Sequence, residues 1–172
     1  MNIVIVPFAG VNPTYIDNLA DDLLVFDCQI ECVDFQNVPK QAYNTKRKQF
    51  LADTILHFVK QFPGGKVIGV MNQDIYRYVL EFVKGVADLP GRAALISIIR
   101  LLEDGNHDLM RERINKLAIH ELAHTRGYEH CSDPSCVMYA CDNLQQFDNM
   151  KKAICPRCLE KYAKSAYVNM NF

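Results

Sequence analysis

His120-Glu121-Leu122-Ala123-His124-Thr125-Arg126-Gly127-Tyr128-Glu129-His130 is the stretch that decides how this 172-residue chain is read. On a helix, residues four apart share a face, so His120 and His124 can aim two imidazoles at one point. Neutral imidazole is a good zinc ligand. Glu121 follows the first histidine and flanks the metal, where a carboxylate can take a proton from water. Gly127 permits a positive φ, which ends the helix and turns the chain so that His130 returns as a third ligand. Three protein ligands leave a tetrahedral zinc one open position, the pattern of a catalytic site. The competing reading is an amphipathic helix whose histidines merely pack or face solvent.

Seven cysteines lie in the chain, and four of them, Cys131, Cys136, Cys155 and Cys158, form a C-x4-C…C-x2-C set directly after the histidines. Thiolates at that spacing suit a closed, structural zinc; two disulfides are the alternative. Cys28, Cys32 and Cys141 read as small buried hydrophobes, with Cys141 near enough in sequence to compete for metal.

The run from His120 through Cys136-Val137-Met138, closed by Cys155-Pro156-Arg157-Cys158, resembles the archaemetzincins, a family of zinc metallopeptidases. The resemblance spans residues 109 to 161, with a weaker echo at Tyr43-Asn44 and Arg47-Lys48-Gln49-Phe50. It implies a metzincin-like fold of the α/β (α+β) class, a mixed sheet whose antiparallel edge strand borders the substrate cleft, and Phe82 to Ala87 as the candidate edge. It also implies that Met138 forms the Met-turn beneath the metal; an ordinary core methionine is compatible with that. Ala123 and Arg126 stand where related motifs often carry glycine and an apolar residue. The implied chemistry is peptide hydrolysis, with catalytic zinc on His120, His124 and His130, Glu121 as the base, and a second, structural zinc on the four cysteines.

The rest of the chain fits one α/β domain. Half of its residues are hydrophobic and the net charge is −1, so ordinary core packing is expected and no basic excess attracts nucleic acid or an anionic membrane. No apolar run reaches transmembrane length, and the N-terminus reads as a first strand rather than an export signal, which makes a cytoplasmic location the expectation. Asn2 to Pro7 is that strand. Asn12 caps a helix that begins at Pro13. Gln29 to Phe35 is a second strand. Lys46-Arg47-Lys48 opens, as a solvated run, a helix carrying Phe50 to Phe62. Lys66 to Met71 is a buried strand, Tyr78 to Val86 a looser one with Tyr78, Leu80 and Phe82 on one side, and Ala93 to Leu102 an almost wholly apolar stretch. Asp108 caps the active helix, which runs from Leu109 to Arg126 with Arg111, Glu112, Arg113 and Lys116 on a solvated face. Pro156 opens a last short helix. The boundary between an N-terminal α/β lobe and a small cysteine lobe falls at residues 127–128. The smaller lobe has too few apolar residues for its own core, so zinc would stabilise it.

Two other functions compete. A three-histidine zinc ribonuclease has a similar histidine spacing, but Glu121, the cysteine set and the charge balance argue against it. A zinc protein that binds peptides with little or no turnover shares all of these residues.

Overall fold

A computed structural model describes residues 2–169, with side chains through Lys164. Its frame is a five-stranded sheet in the order β2-β1-β5-β8-β7. The strands are β1 (Asn2–Pro7), β2 (Gln29–Cys32), β5 (Lys66–Met71), β8 (Ala93–Ser97) and β7 (Gly85–Ala87). The first four pair in parallel and β7 runs antiparallel along β8, which gives the expected mixed sheet. Three short strands, β3 (Tyr43–Asn44), β4 (Gln49–Leu51) and β6 (Ile75–Tyr76), make a second sheet.

Both faces of the main sheet are covered, because its strands are apolar at successive positions and side chains alternate in direction. Ile3, Ile5, Ile68, Val70, Ala94 and Ile96 point to the layer made by α1 (Pro13–Leu23) and α3 (Met110–Thr125). Val4, Val6, Val67 and Leu95 point the other way, to α2 (Ala52–Val59). Asn12 caps α1 as the sequence suggests, its side-chain oxygen accepting from the Thr14 amide at 3.0 Å. Two further helices, α4 (Leu144–Asn149) and α5 (Pro156–Asn169), belong to the C-terminal part.

Several boundaries differ from the sequence reading, each for an identifiable reason. The second helix begins at Ala52 rather than Phe50, because Gln49–Leu51 pairs on both sides as β4. Gln49 donates from its side-chain amide to the Asp74 carboxylate (2.8 Å) and the Glu81 carbonyl (2.9 Å). Arg47 is not simply solvated either. It donates to the Leu80 and Glu81 carbonyls at 3.1 and 2.7 Å and lies over the Tyr76 ring. Of the looser segment Tyr78 to Val86, only Gly85 and Val86 join a strand, Gly85–Ala87, and Tyr78 and Leu80 are exposed. The edge strand therefore lies at the end of the expected Phe82–Ala87 segment. Ala93 to Leu102 divides at Ser97, whose hydroxyl donates to the Gln73 carbonyl at 2.6 Å, and continues as a 3₁₀ turn.

The active helix shows the largest departure. Asp108 does not cap it; Asn106 caps a short 3₁₀ turn, accepting from the Asp108 amide at 3.2 Å, and α3 starts at Met110. Arg113 and Lys116, read as solvated, are each 1% exposed. The C-terminal segment folds across that face. Arg113 is gripped by Asp148 and Asp104, at 2.6 Å each, and Lys116 donates to the Asp148 carbonyl at 2.7 Å. A cation buried in this way is tolerated because opposite charges and acceptors surround it. Among the other cysteines, Cys28 is buried and donates to the Leu23 carbonyl, Cys141 is half-buried, and Cys32 is exposed, contrary to its reading as a core residue.

Candidate metal centres

The helix α3 carries His120 and His124 one turn apart, with ring centroids 4.7 Å apart and planes nearly perpendicular. Its C-terminal end is fixed from outside. The Thr125 carbonyl accepts from the Gly91 amide (3.0 Å) and from the Lys66 ammonium (2.8 Å), a cation where the helix dipole favours one. Gly127 then adopts φ +96°, a conformation that costs glycine little and other residues more. The chain turns and brings His130 to within 4.9 Å of the His124 ring.

The second nitrogen of each buried histidine is committed. His120 Nδ1 lies 2.7 Å from the Val137 carbonyl and His124 Nδ1 lies 2.7 Å from the Tyr128 carbonyl. A carbonyl only accepts, so both Nδ1 atoms carry the proton and both Nε2 atoms present a lone pair. Those Nε2 atoms are 3.1 Å apart, and His130 Nε2 is 3.3 Å from that of His124. Acceptors held so close repel one another unless a cation lies among them. The donor set, the tautomers and the carbonyl supports fit zinc. Burial pushes His120 down to about 4 and lowers His124 as well, so both remain neutral and ligand-ready. Glu121 is buried beside them. Desolvation pushes its carboxyl up to about 8, against a downward pull from the Arg77 charge.

The four cysteines also converge, with all their sulfurs within 4.8 Å of one another. Cys131 Sγ and Cys155 Sγ are 3.8 Å apart, and all four thiols are free. Four mutually close sulfurs suit one tetrahedral ion better than two disulfides. Backbone amides point at them, from Asp133 to Cys131 at 3.4 Å and from Cys155 to Cys136 at 3.3 Å. Burial raises the Cys131 thiol, but the Asp133 amide and the Arg157 guanidinium outweigh it and bring it down to about 7. Burial among the other sulfurs raises Cys158.

The two clusters share a wall. Ile119, Ala123, Tyr128, Cys131, Cys136, Val137 and Met138 form one apolar cluster, in which Met138 is fully buried. The Cys131 amide donates to the Met138 carbonyl at 2.8 Å, and Val137, next to Cys136, supplies the carbonyl that orients His120. Among the described residues, these two groups are the ones that could hold a metal; His57, His107 and Cys141 join neither. The charge of Arg77, paired with Asp53 at 2.7 Å, and the buried Arg113 network had no motif to announce them.

The profile of peptidase family M54 matches residues 25–164. The chain belongs to that family, the archaemetzincins. Archaemetzincin from Methanopyrus kandleri is 39% identical over 125 residues, 72% of this chain and 71% of the relative. Its crystal structure superimposes with a TM-score of 0.86 at 31% identity, covering 97% of this chain and 96% of that one. The crystal structure of archaemetzincin from Archaeoglobus fulgidus, complexed with malonate, gives a TM-score of 0.84 at 34% identity over 94% of this chain and 99% of that one. Archaemetzincins are zinc metallopeptidases, and this chain is a hydrolase of that class with their α/β fold. No helix among the described residues is long and apolar enough to cross a membrane.

Proposed function

We propose that the chain binds two zinc ions, one on His120, His124 and His130 and one on Cys131, Cys136, Cys155 and Cys158, and hydrolyses peptide bonds with Glu121 as general base. The observation that carries this reading is the three facing Nε2 atoms, two of them on imidazoles pinned by carbonyls, next to a buried carboxylate. Zinc at the histidines supplies a Lewis acid that acidifies water and polarises a carbonyl.

The protein's own groups do the rest. Glu121 receives the proton of the attacking water on a carboxylate oxygen and returns it to the amine that leaves. Its buried setting keeps that proton exchange away from bulk solvent. The unpaired side of β7 offers backbone groups to an extended peptide or protein substrate, which would add as a further strand. Met138 forms the packed floor of the centre and Gly127 the turn that delivers His130. The cysteine centre is structural. It fixes the Cys136–Met138 segment and, through the Val137 carbonyl, the ring of His120. The whole chain then works as one metallopeptidase domain, with an α/β lobe to residue 127 and a zinc-clamped lobe after it. A reducing, cytoplasmic setting would keep the four thiols available.

The test is digestion of a mixed peptide library, read by mass spectrometry, with wild type and Glu121→Gln compared at equal zinc content. Zinc-dependent products that disappear in the variant support the reading. An untouched library, with both proteins carrying two zincs, would move the assignment to a zinc protein that binds peptides without turnover.

A further inference from the structure

Gly85 lies in the edge strand β7, opposite Ile96 of β8. Side chains alternate along a strand, and Val86 enters the layer of α2 while Ala87 packs against the layer of α1 and α3. Gly85 therefore faces the same side as Ala87, toward α3. The position is not empty. A Cβ built on Gly85 would stand 2.7 Å from both Cγ and Cδ of Glu121 and would meet Oε1 as well. Carbon atoms rest at about 3.5–4.0 Å. Gly85 and Glu121 thus occupy complementary volumes, with Glu121 only 5% exposed.

We infer that Gly85 is a positioning residue for the reaction: the side chain it lacks is the space that holds the Glu121 carboxylate. The inference rests on the reading of Glu121 as the base. The three atoms nearest to that Cβ all belong to the Glu121 side chain, from Cγ outward, and none of them is backbone. A methyl group at residue 85 would therefore leave the fold in place and move Glu121. Misplacing a catalytic group by about 1 Å costs about 100-fold in rate.

The experiment is a double-mutant cycle on peptide turnover, using the zinc-loaded protein and a substrate from the library above. Gly85→Ala is expected to lower kcat by about 10- to 100-fold with KM changed by less than about twofold, zinc content unchanged and melting temperature close to wild type. Glu121→Ala removes Cγ and everything beyond it, and with them the collision. In that background the same methyl should change the residual zinc-dependent turnover by less than about threefold. A crystal structure of Gly85→Ala should show the Glu121 carboxylate displaced. The inference is overturned if Gly85→Ala keeps the wild-type kcat, if it costs the same in both backgrounds, or if Glu121 has not moved. Failure of Gly85→Ala to fold also counts against it, since the methyl would then be displacing backbone. An active Glu121→Gln variant would instead defeat the reading of Glu121, whereas an active Gly85→Ala beside an inactive Glu121→Gln defeats this inference alone.

Discussion

The two candidate metal centres are adjacent in sequence, at His130 and Cys131, yet they are held in opposite ways. The histidine centre is borne by a long helix whose position follows from the apolar core. Ile114, Leu117 and Ala118 pack on the sheet, and the helix end is tied to Gly91 and Lys66. The cysteine centre is borne by irregular chain, and its sulfurs are themselves part of the small apolar cluster around Val137 and Met138. One centre is a consequence of the fold. The other, on the proposed reading of a structural zinc, would be a condition for its part of the fold, because metal binding and local folding are coupled where the apolar core is thin. The Val137 carbonyl connects them, so damage to the cysteine centre should reach His120, whereas damage to the histidine centre should leave the cysteine lobe folded.

The contrast can be broken in several places. The largest expected effect is that of Glu121→Gln, which should lower turnover by about 100- to 10,000-fold, the range for loss of a general base, while both zincs remain in elemental analysis. Next is Cys155→Ser combined with Cys158→Ser. These should abolish one zinc, expose the amides of residues 131–155 to hydrogen exchange and reduce turnover at least about 10-fold through the loosened His120 support, the scale of loss expected when a ligand's supporting contact is removed. Unchanged turnover would separate the two centres.

Arg113→Met probes the core side of the same helix. Losing the grip on Asp104 and Asp148 should cost about 2 kcal/mol in denaturant unfolding, less than for a fully buried pair because both carboxylates are partly exposed, and should leave kcat close to wild type.

After chelation, pH should act on the histidine centre with two opposed signs. His120 falls from 6.5 to about 4 on burial, so the unfolded chain binds the proton more readily and stability is lost as pH drops through that window. Glu121 rises from 4.5 to about 8, so the folded chain binds the proton more readily and stability is lost as pH rises toward 8. The two windows overlap between 4.5 and 6.5, where the opposed slopes nearly cancel, so thermal melts of the chelated protein should be flat across that range and decline from 6.5 to about 8, and Glu121→Gln should remove the alkaline decline. The smallest effect belongs to Cys32→Ser. That thiol is exposed and outside both clusters, so zinc content and melting temperature should be unchanged.

The sequence made the site more legible than its surroundings. Metal ligands must recur at fixed spacing to meet one ion, and His120, His124, His130 and the four cysteines converge where that spacing puts them. The main strands were legible because burial on both faces demands apolar runs. What escaped was set by partners distant in sequence. Arg113 and Lys116 look like a solvated helical face until the segment around Asp148 covers them. Gln49–Leu51 has the periodicity of a helix start, but pairs with β3 and β6 instead. Gly85 carries no signal of its own, because its meaning lies in the volume taken by Glu121.

An open catalytic centre beside a closed structural one should reveal itself in stepwise chelation followed by native mass spectrometry and peptide turnover on the same samples. Wild type should carry two zincs and lose one of them first. Activity should disappear with that first ion while the protein remains folded, and should return when one equivalent of zinc is restored. Loss of both ions together with unfolding, or turnover that survives removal of the first, would contradict it.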